Sequence, residues 1–555
     1  MRIVIFLIFI LLIILPFSSL LNYGYFPMHD DMQAMRLLQM RKCLDDFQIP
    51  CRWVPDMGYG YGYPQFNFYP PLPYYIMTLF TYFSISYLDA VKIGFILTFI
   101  ISGLGMYLFS KQLWGHKGAL ISTIFYLYLP YRATNVYARG AMGEIWAMSW
   151  FPWIFWSLDM LIKTNKNKYL VILGITSSAL ALSHLLSAMM IAPFIIIWLF
   201  NYYFNRQIGL KTTYKIALSG LLAFGISAFY LLPVLFEQKY AHLETLTQGY
   251  FDYQAHFVSL RQMFLSTYWD YGSSLFGTND EMSFSIGLLH WTIPAVSVII
   301  GLLTSKLKFK TFLNSKLFLV SLLLFTGIAY LFLIHPRSVI IWKSIEPLKM
   351  LQFPWRFLAP AGFIFSLAAG SITIWHSNIK YKSLLFIVIP LFILNFAYFK
   401  PAKWLNINDQ QHFADWSKLQ TISIFDYLPI YANYPPTSAA PDMPEIISGM
   451  AIITEYIKGS DWQSGRIEVK ETAEVKLPLF DFPGMSVFVN DSQTEFNHDN
   501  ELGLITIVLP PGNYQILAEL QDTHIRSFSN FITLITLIIL IIFISNPLKL
   551  YEKIR

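Results

Sequence analysis

Long apolar runs separated by short polar turns fill most of the chain up to about residue 400. A helix needs about 20 mostly apolar residues to cross a bilayer. On that measure twelve spans are expected, at 3–21, 90–110, 118–132, 145–161, 169–185, 188–204, 214–233, 285–303, 317–334, 357–375, 383–399 and 527–545. A further apolar stretch, 72–87, carries tyrosines suited to the headgroup region and is expected to lie at the outer interface rather than to cross. Between 465 and 520 the pattern changes. Short runs at 466–470, 485–489, 504–509 and 514–518 alternate apolar and polar residues, with Pro483-Gly484, Asn490-Asp491 and Pro510-Pro511-Gly512 between them. Period-two patterning broken by turn residues predicts a small antiparallel β-sandwich.

The expected fold class is therefore a polytopic α-helical membrane protein with a small extracytoplasmic β-sandwich near the C-terminus. Its expected parts are a transmembrane domain over 1–399 with a first outer loop at 22–89, an extracytoplasmic domain over 400–526 that is β-rich from about 465, and a C-terminal membrane anchor over 527–555. Composition agrees: of 555 residues, 55% are hydrophobic and only 13% charged. A soluble domain carries about a quarter of its residues as charge, so ordinary cytosolic, disordered and fibrous classes are excluded. The net charge of +6 is small and dispersed, and argues against a nucleic-acid partner. Lys111, Lys117, Lys163, Lys166, Lys168, Lys211, Lys215, Lys380 and Lys382 fall in loops on the side of the N-terminus. Positive residues mark cytoplasmic loops, so a multi-pass cell-membrane protein with both termini cytoplasmic is expected. Residues 1–21 also have the length of a signal peptide, but one Arg and a poor cleavage site at Phe17-Ser18-Ser19 favour an uncleaved span.

The first outer loop holds the candidate chemistry. His29-Asp30-Asp31 follow the first span directly, and carboxylates near a bilayer are costly enough to need a role or a partner. After them, Leu37, Met40, Leu44 and Phe47 recur at helical spacing. Asp30 and Asp31 would then occupy the first turn of that helix, where its dipole favours negative charge. They are either capping acids or catalytic carboxylates. Gly58-Tyr-Gly-Tyr-Gly62-Tyr63-Pro64 and Gln65-Phe-Asn67-Phe-Tyr69-Pro70-Pro71 combine tight-turn residues with aromatic faces, which suit a sugar or isoprenoid, or an interfacial belt. Cys43 and Cys51 are the chain's two cysteines. They form a disulfide outside the cytosol or stay as two thiols, and are too few for a zinc site. No phosphate loop, zinc-protease or serine-hydrolase motif is present.

The run from His29-Asp30-Asp31 through Arg36 and Ile49-Pro50-Cys51-Arg52-Trp53 to Pro70-Pro71-Leu72-Pro73 resembles the 6-pyruvoyl-tetrahydropterin synthase-related membrane-domain family, which is related to the YfhO-like group. Tyr137-Ala-Arg139-Gly-Ala-Met-Gly-Glu144, Ser183-His184, Leu351-Gln352-Phe353-Pro354-Trp355-Arg356-Phe357 and the β-rich tail followed by a last span resemble it too. Nothing in these residues calls for pterin chemistry. The family in turn resembles the GT-C membrane glycosyltransferases, which implies transfer of sugar from a polyprenyl-phosphate donor to an envelope acceptor. The resemblance implies Asp30 as the base, with Asp31 as its alternate or as a ligand to a divalent ion. It also implies a substrate-binding set of His29, Arg36, Tyr63, Asn67, Tyr69, Arg139, Glu144, His184, Gln352, Trp355 and Arg356. The family's second His is replaced here by Gln33 and Met35, so no metal is indicated and the cofactor stays open. An arginine fork grips phosphate bidentately. Arg139 can instead pair with Glu144, Arg356 can reach to headgroups, and His184 can serve as a hydrogen-bonded packing residue. Two rival readings remain, a lipid or polysaccharide transporter and a non-catalytic envelope assembly protein. Charges gathered at span ends and the lack of matching halves favour the transferase over the transporter.

Overall fold

A computed structural model of the chain describes residues 2–275, 280–304, 315–375, 379–414 and 426–545. The chain forms two compact units. Unit 1 is Met1–Asp31, Leu88–Ala223 and Thr247–Ile407; unit 2 is Met32–Tyr87, Phe224–Leu246 and Asn408–Arg555. Most of residues 22–89, the expected first outer loop, thus groups with the C-terminal part.

Among the described residues eight helices are long and apolar enough to cross a membrane, against twelve expected spans. Part of the difference lies in one run, Tyr87–Leu127, which holds both 90–110 and most of 118–132 and is bent at Gly115 (φ 72°, ψ −177°). Three other expected spans form helices of 17 residues: Arg2–Ser18, Asn167–Ser183 and Leu288–Thr304. The interfacial candidate becomes a helix of 10 residues, Leu72–Thr81, about half the length a crossing needs. Residues 546–555 of the expected anchor lie outside the described residues.

Unit 1 is built around the helix Leu358–Ala369, all of whose residues are buried. Small residues let its neighbours approach closely; a Cβ at Gly362 would collide with Leu129. Phe363 lies 5.4–6.5 Å, centroid to centroid, from the rings of Phe109, Tyr126, Phe151, Phe155 and Phe194. This buried rod carries the Gln352–Arg356 turn at its N-terminal end.

Unit 2 contains a six-stranded antiparallel sheet: β1 (Glu445–Lys458), β2 (Trp462–Phe480), β3 (Met485–Val489), β4 (Ser492–Thr494), β5 (Leu504–Leu509) and β6 (Gly512–Leu520). The four alternating runs fall within β2, β3, β5 and β6. Strand order is β1-β2-β6-β3-β4, and β5 also joins β2. The 19 residues of β2 explain the branching. One edge pairs with β1, while the other pairs with β6 from Trp462 to Val469 and with β5 from Ala473 to Phe480. Ile467, Val469, Ala473, Val475, Leu477 and Leu479 alternate into the core. The expected β-rich region is thus an antiparallel sheet domain whose first strand begins at Glu445, ahead of the alternating runs. Register shifts break up β1, so its sequence lacks a clean alternation.

The Tyr/Gly run completes this core. Tyr59 and Tyr61 join the same cluster as β2 and β5. The rings of Trp53 and Phe482 are 5.7 Å apart, and those of Tyr61 and Phe480 5.4 Å. Gly62 (φ +86°) has Trp53 against its Cα, so a side chain there would collide. The glycines thus serve close packing, and these tyrosines turn inward. Cys43 and Cys51 are joined as a disulfide. The helix expected around Leu37 is Gln33–Asp45, with Leu37, Met40 and Cys43 fully buried. It begins after Asp30 and Asp31, so they are not first-turn acids, and Phe47 lies beyond its end, 87% exposed.

Candidate active site

Unit 1 gathers nine of the expected residues. His29-Asp30-Asp31 form a turn whose backbone runs against 138–139: His29 N–H donates to Ala138 O (3.0 Å) and Asp30 N–H to Arg139 O (2.9 Å). Gly140 allows this approach. Its φ is +65°, and a Cβ there would strike Met28. The His29 ring is held by Tyr271 O, 2.8 Å from Nε2.

Arg139 donates from Nη1 to Glu144 Oε2 (2.8 Å), Asn135 Oδ1 (2.5 Å) and Tyr131 OH (3.2 Å), and its guanidinium lies 4.6 Å from the Trp355 ring centroid. Arg356 comes from the N-terminal end of the buried rod. Its Nε is 3.8 Å from the same Glu144 Oε2, and its Nη1 donates to Leu351 O (2.9 Å) and Gln352 Oε1 (3.1 Å). Gln352 adopts φ +62°, a strained value for a non-glycine residue. It turns the chain so that its amide oxygen meets Arg356. One carboxylate, 2% exposed, thus gathers two guanidiniums, each 11% exposed. Arg139 pairs with Glu144 as one sequence alternative held, and Arg356 is bound within the fold rather than extended to headgroups.

Burial alone would lower the Arg139 pKa, but Glu144 first, then Tyr131 and Asp30, hold it above its ordinary value. Arg139 therefore stays cationic, with Asp30 among the charges that act on it. Burial pulls His29 below its ordinary value; the Tyr271 carbonyl opposes this and Arg139 adds to it. At neutral pH the imidazole is uncharged. Asp31 is half-buried, and its charge acts on the buried Tyr25 phenol. His184 caps the helix Leu185–Phe204, with Nδ1 accepting from Ser187 N–H (3.2 Å). That is the packing role, performed beside the start of the Glu144 helix: a Cβ at Gly143 would lie 3.7 Å from the His184 ring.

The other four expected residues lie in unit 2. The Arg36 guanidinium sits 4.3 Å from the Tyr69 ring centroid. Tyr63 is fully buried and its backbone pairs with Val54. Asn67 accepts from Arg52 Nη1 (3.2 Å) and donates to Glu237 Oε2 (2.9 Å). Glu237 also receives Arg526 Nε (2.9 Å). Arg52, Glu237 and Arg526 escaped the sequence reading. Their signal was charge at the margin of apolar runs, and for Arg52 its place in the Ile-Pro-Cys-Arg-Trp motif. In unit 1 Tyr131, Asn135 and Tyr271 were missed, and their residue types give no signal. Among the described residues no three His, Cys, Asp or Glu side chains come together to hold a metal ion.

An uncharacterized protein of Lactococcus lactis subsp. cremoris (strain MG1363) is 24% identical to this chain over 209 residues, which is 36% of this chain and 34% of that protein. The match thus spans about a third of that relative's length. Among solved structures, the Archaeoglobus fulgidus oligosaccharyltransferase tethered with an acceptor peptide is 14% identical with a TM-score of 0.44, covering 74% of this chain and 56% of that one. The mycobacterial arabinofuranosyltransferase AftD is 12% identical with a TM-score of 0.46, covering 75% and 28%. The A. fulgidus oligosaccharyltransferase AglB in complex with an inhibitory peptide and a dolichol-phosphate is 14% identical with a TM-score of 0.43, covering 78% and 61%. The description "6-pyruvoyl-tetrahydropterin synthase related domain; membrane protein" matches residues 66–400, more than half of the chain and the part that carries Arg139, Glu144, His184 and Arg356. The chain belongs to this family of 6-pyruvoyl-tetrahydropterin synthase related membrane proteins.

Proposed function

We propose that the protein is a membrane glycosyltransferase that moves a sugar from a polyprenyl-phosphate donor to an envelope acceptor at the outer face of the cell membrane. The observation that carries this reading is the backbone pairing of Asp30 with Arg139, which ties an acidic turn to a residue that shares Glu144 with Arg356. A carboxylate beside two clustered cations has the parts an inverting displacement needs. Asp30 takes the proton of the acceptor hydroxyl, and the freed oxygen attacks the anomeric carbon. The bond from that carbon to the phosphate oxygen breaks, and the polyprenyl phosphate leaves with the bonding electrons. Arg139 and Arg356 stabilise the charge that grows on the departing phosphate. Asp31 is the alternate base. The Lys-rich loops on the side of the N-terminus support an outward-facing site.

The test is sugar transfer by the full chain in vesicles supplied with a polyprenyl-phosphate sugar. Asp30→Asn is expected to lower transfer by about 10²- to 10⁴-fold, the usual worth of a general base, while the protein inserts and folds normally. Full activity in Asp30→Asn would remove it as the base.

A further inference from the structure

Unit 1 also contains a cavity of about 480 Å³ between the short helix Leu260–Phe264 and the segment 280–284. Arg261, Gln262 and Tyr268 line one side; Asp280, Ser283 and Phe284 line the other. Asp280 is fixed in place. Gln262 Nε2 donates to its Oδ2 (2.6 Å) and Leu275 N–H to its Oδ1 (3.1 Å). A carboxylate has about four acceptor positions; these two and the Ser274 hydroxyl (3.4 Å) take three, so one remains for a ligand. The cavity is also joined to the arginine pair. The Phe284 ring is 5.7 Å from that of Trp355, on which Arg139 rests, and Trp355 Nε1 donates to Ser274 Oγ (3.3 Å), which lies 3.4 Å from Asp280 Oδ1.

The lining decides what fits. One carboxylate opposes one guanidinium, so the cavity has no excess charge to hold a phosphate. An amide, serine hydroxyls and two charged groups make it too polar for an isoprenoid tail. A carboxylate and a guanidinium suit the hydroxyls of a sugar ring, and Tyr268, 47% exposed, offers a flat face to its C–H side. The volume falls within the range of about 300–1,000 Å³ typical of small-ligand sites. We infer that this cavity binds a neutral sugar ring and, on the glycosyltransferase reading above, holds the acceptor glycan beside the Arg139–Trp355 stack.

The test is retention of the detergent-solubilised full chain on an array of neutral mono- to tetrasaccharides, with inorganic phosphate as competitor. The expected result is retention that phosphate does not displace, weakened at least about tenfold by Asp280→Asn, as loss of a charged hydrogen-bond acceptor predicts. Arg261→Ala, at an exposed position, is the second variant should Asp280→Asn fold poorly, and it is expected to weaken retention likewise. No retention on any glycan, displacement by phosphate, or equal retention by both variants would overturn the inference. The array requires neither donor nor turnover, so the two claims fail separately. Sugar transfer without Asp280-dependent retention would sink the cavity's role, and retention without any transfer would sink the enzymatic reading.

Discussion

Each unit sets two arginines around one buried glutamate, and the two clusters differ in how they are closed. In unit 2, Glu237 is 3% exposed and receives Arg526 Nε, Asn67 Nδ2 and Thr523 Oγ1 (2.6 Å), while Arg526 is wholly buried. Arg52, 4% exposed, is held by Asn67, by Asn530 (2.8 Å) and by Asp522 at 3.7 Å. The cluster knots the Arg52–Asn67 loop to Glu237 and to the start of the helix His524–Ser545. In unit 1, Glu144 is just as buried, but both arginines keep partial exposure and one stands at 3.8 Å. The same two residue types make a closed lock in one place and, in the other, a set of cations whose edges still reach the surface. Burial and saturation, not composition, separate a brace from a site.

Neutralising the two glutamates should pull this comparison furthest apart. Glu237→Gln takes the paired carboxylate from a wholly buried guanidinium, which costs about 3–5 kcal/mol in such settings. Glu144→Gln should cost less, about 1–3 kcal/mol, because the Arg139 and Arg356 side chains are each 11% exposed. Thermal unfolding of the solubilised protein gives the order, and equal losses would dissolve the distinction. Next in size, Arg356→Lys keeps the charge but loses the fork, and should raise KM for the lipid-phosphate donor about tenfold while leaving the acceptor KM alone. Equal effects on donor and acceptor would contradict its role. Gly140→Ala forces a side chain into Met28 at positive φ, where strain costs about 1–3 kcal/mol. Transfer should slow because the Asp30 turn loses its seat, and an unchanged rate would show that the seat is not needed.

The smallest effect should come from His29. Its pKa is lowered in the fold, so the fold favours the neutral ring and the unfolded chain binds more protons. That contribution is complete above the unfolded value and fades as pH falls through it toward the folded one. Acidification from pH 7 should therefore lower the thermal midpoint, and His29→Gln should reduce the drop. A steeper drop in the variant would reverse the sign.

Hydropathy located the helices well because burial in lipid needs only a long apolar run: 145–161 falls inside Met142–Thr164, and 317–334 inside Lys316–Ile334. The break expected between 110 and 118 falls at the non-helical Gly115, while three other expected spans form helices of only 17 residues. Alternation revealed β2, β3, β5 and β6, yet the bulged β1 stayed hidden. The candidate site was readable as residue types, not as an assembly. Asp30 meets Arg139 through backbone hydrogen bonds across more than a hundred residues, which no local pattern encodes. The Tyr/Gly run shows the opposite failure: aromatic and glycine residues suited to a ligand are equally suited to a close-packed core, and unit 2 uses them for the core.

On the glycosyltransferase reading, Arg139 and Arg356 together grip phosphate. The most direct measurement is the affinity of the full-length protein in nanodiscs for a polyprenyl phosphate, compared with the Arg139→Gln, Arg356→Gln double variant. Saturable binding is expected in the native protein, with at least about a tenfold loss in the double variant. Equal affinity in the two proteins would contradict it.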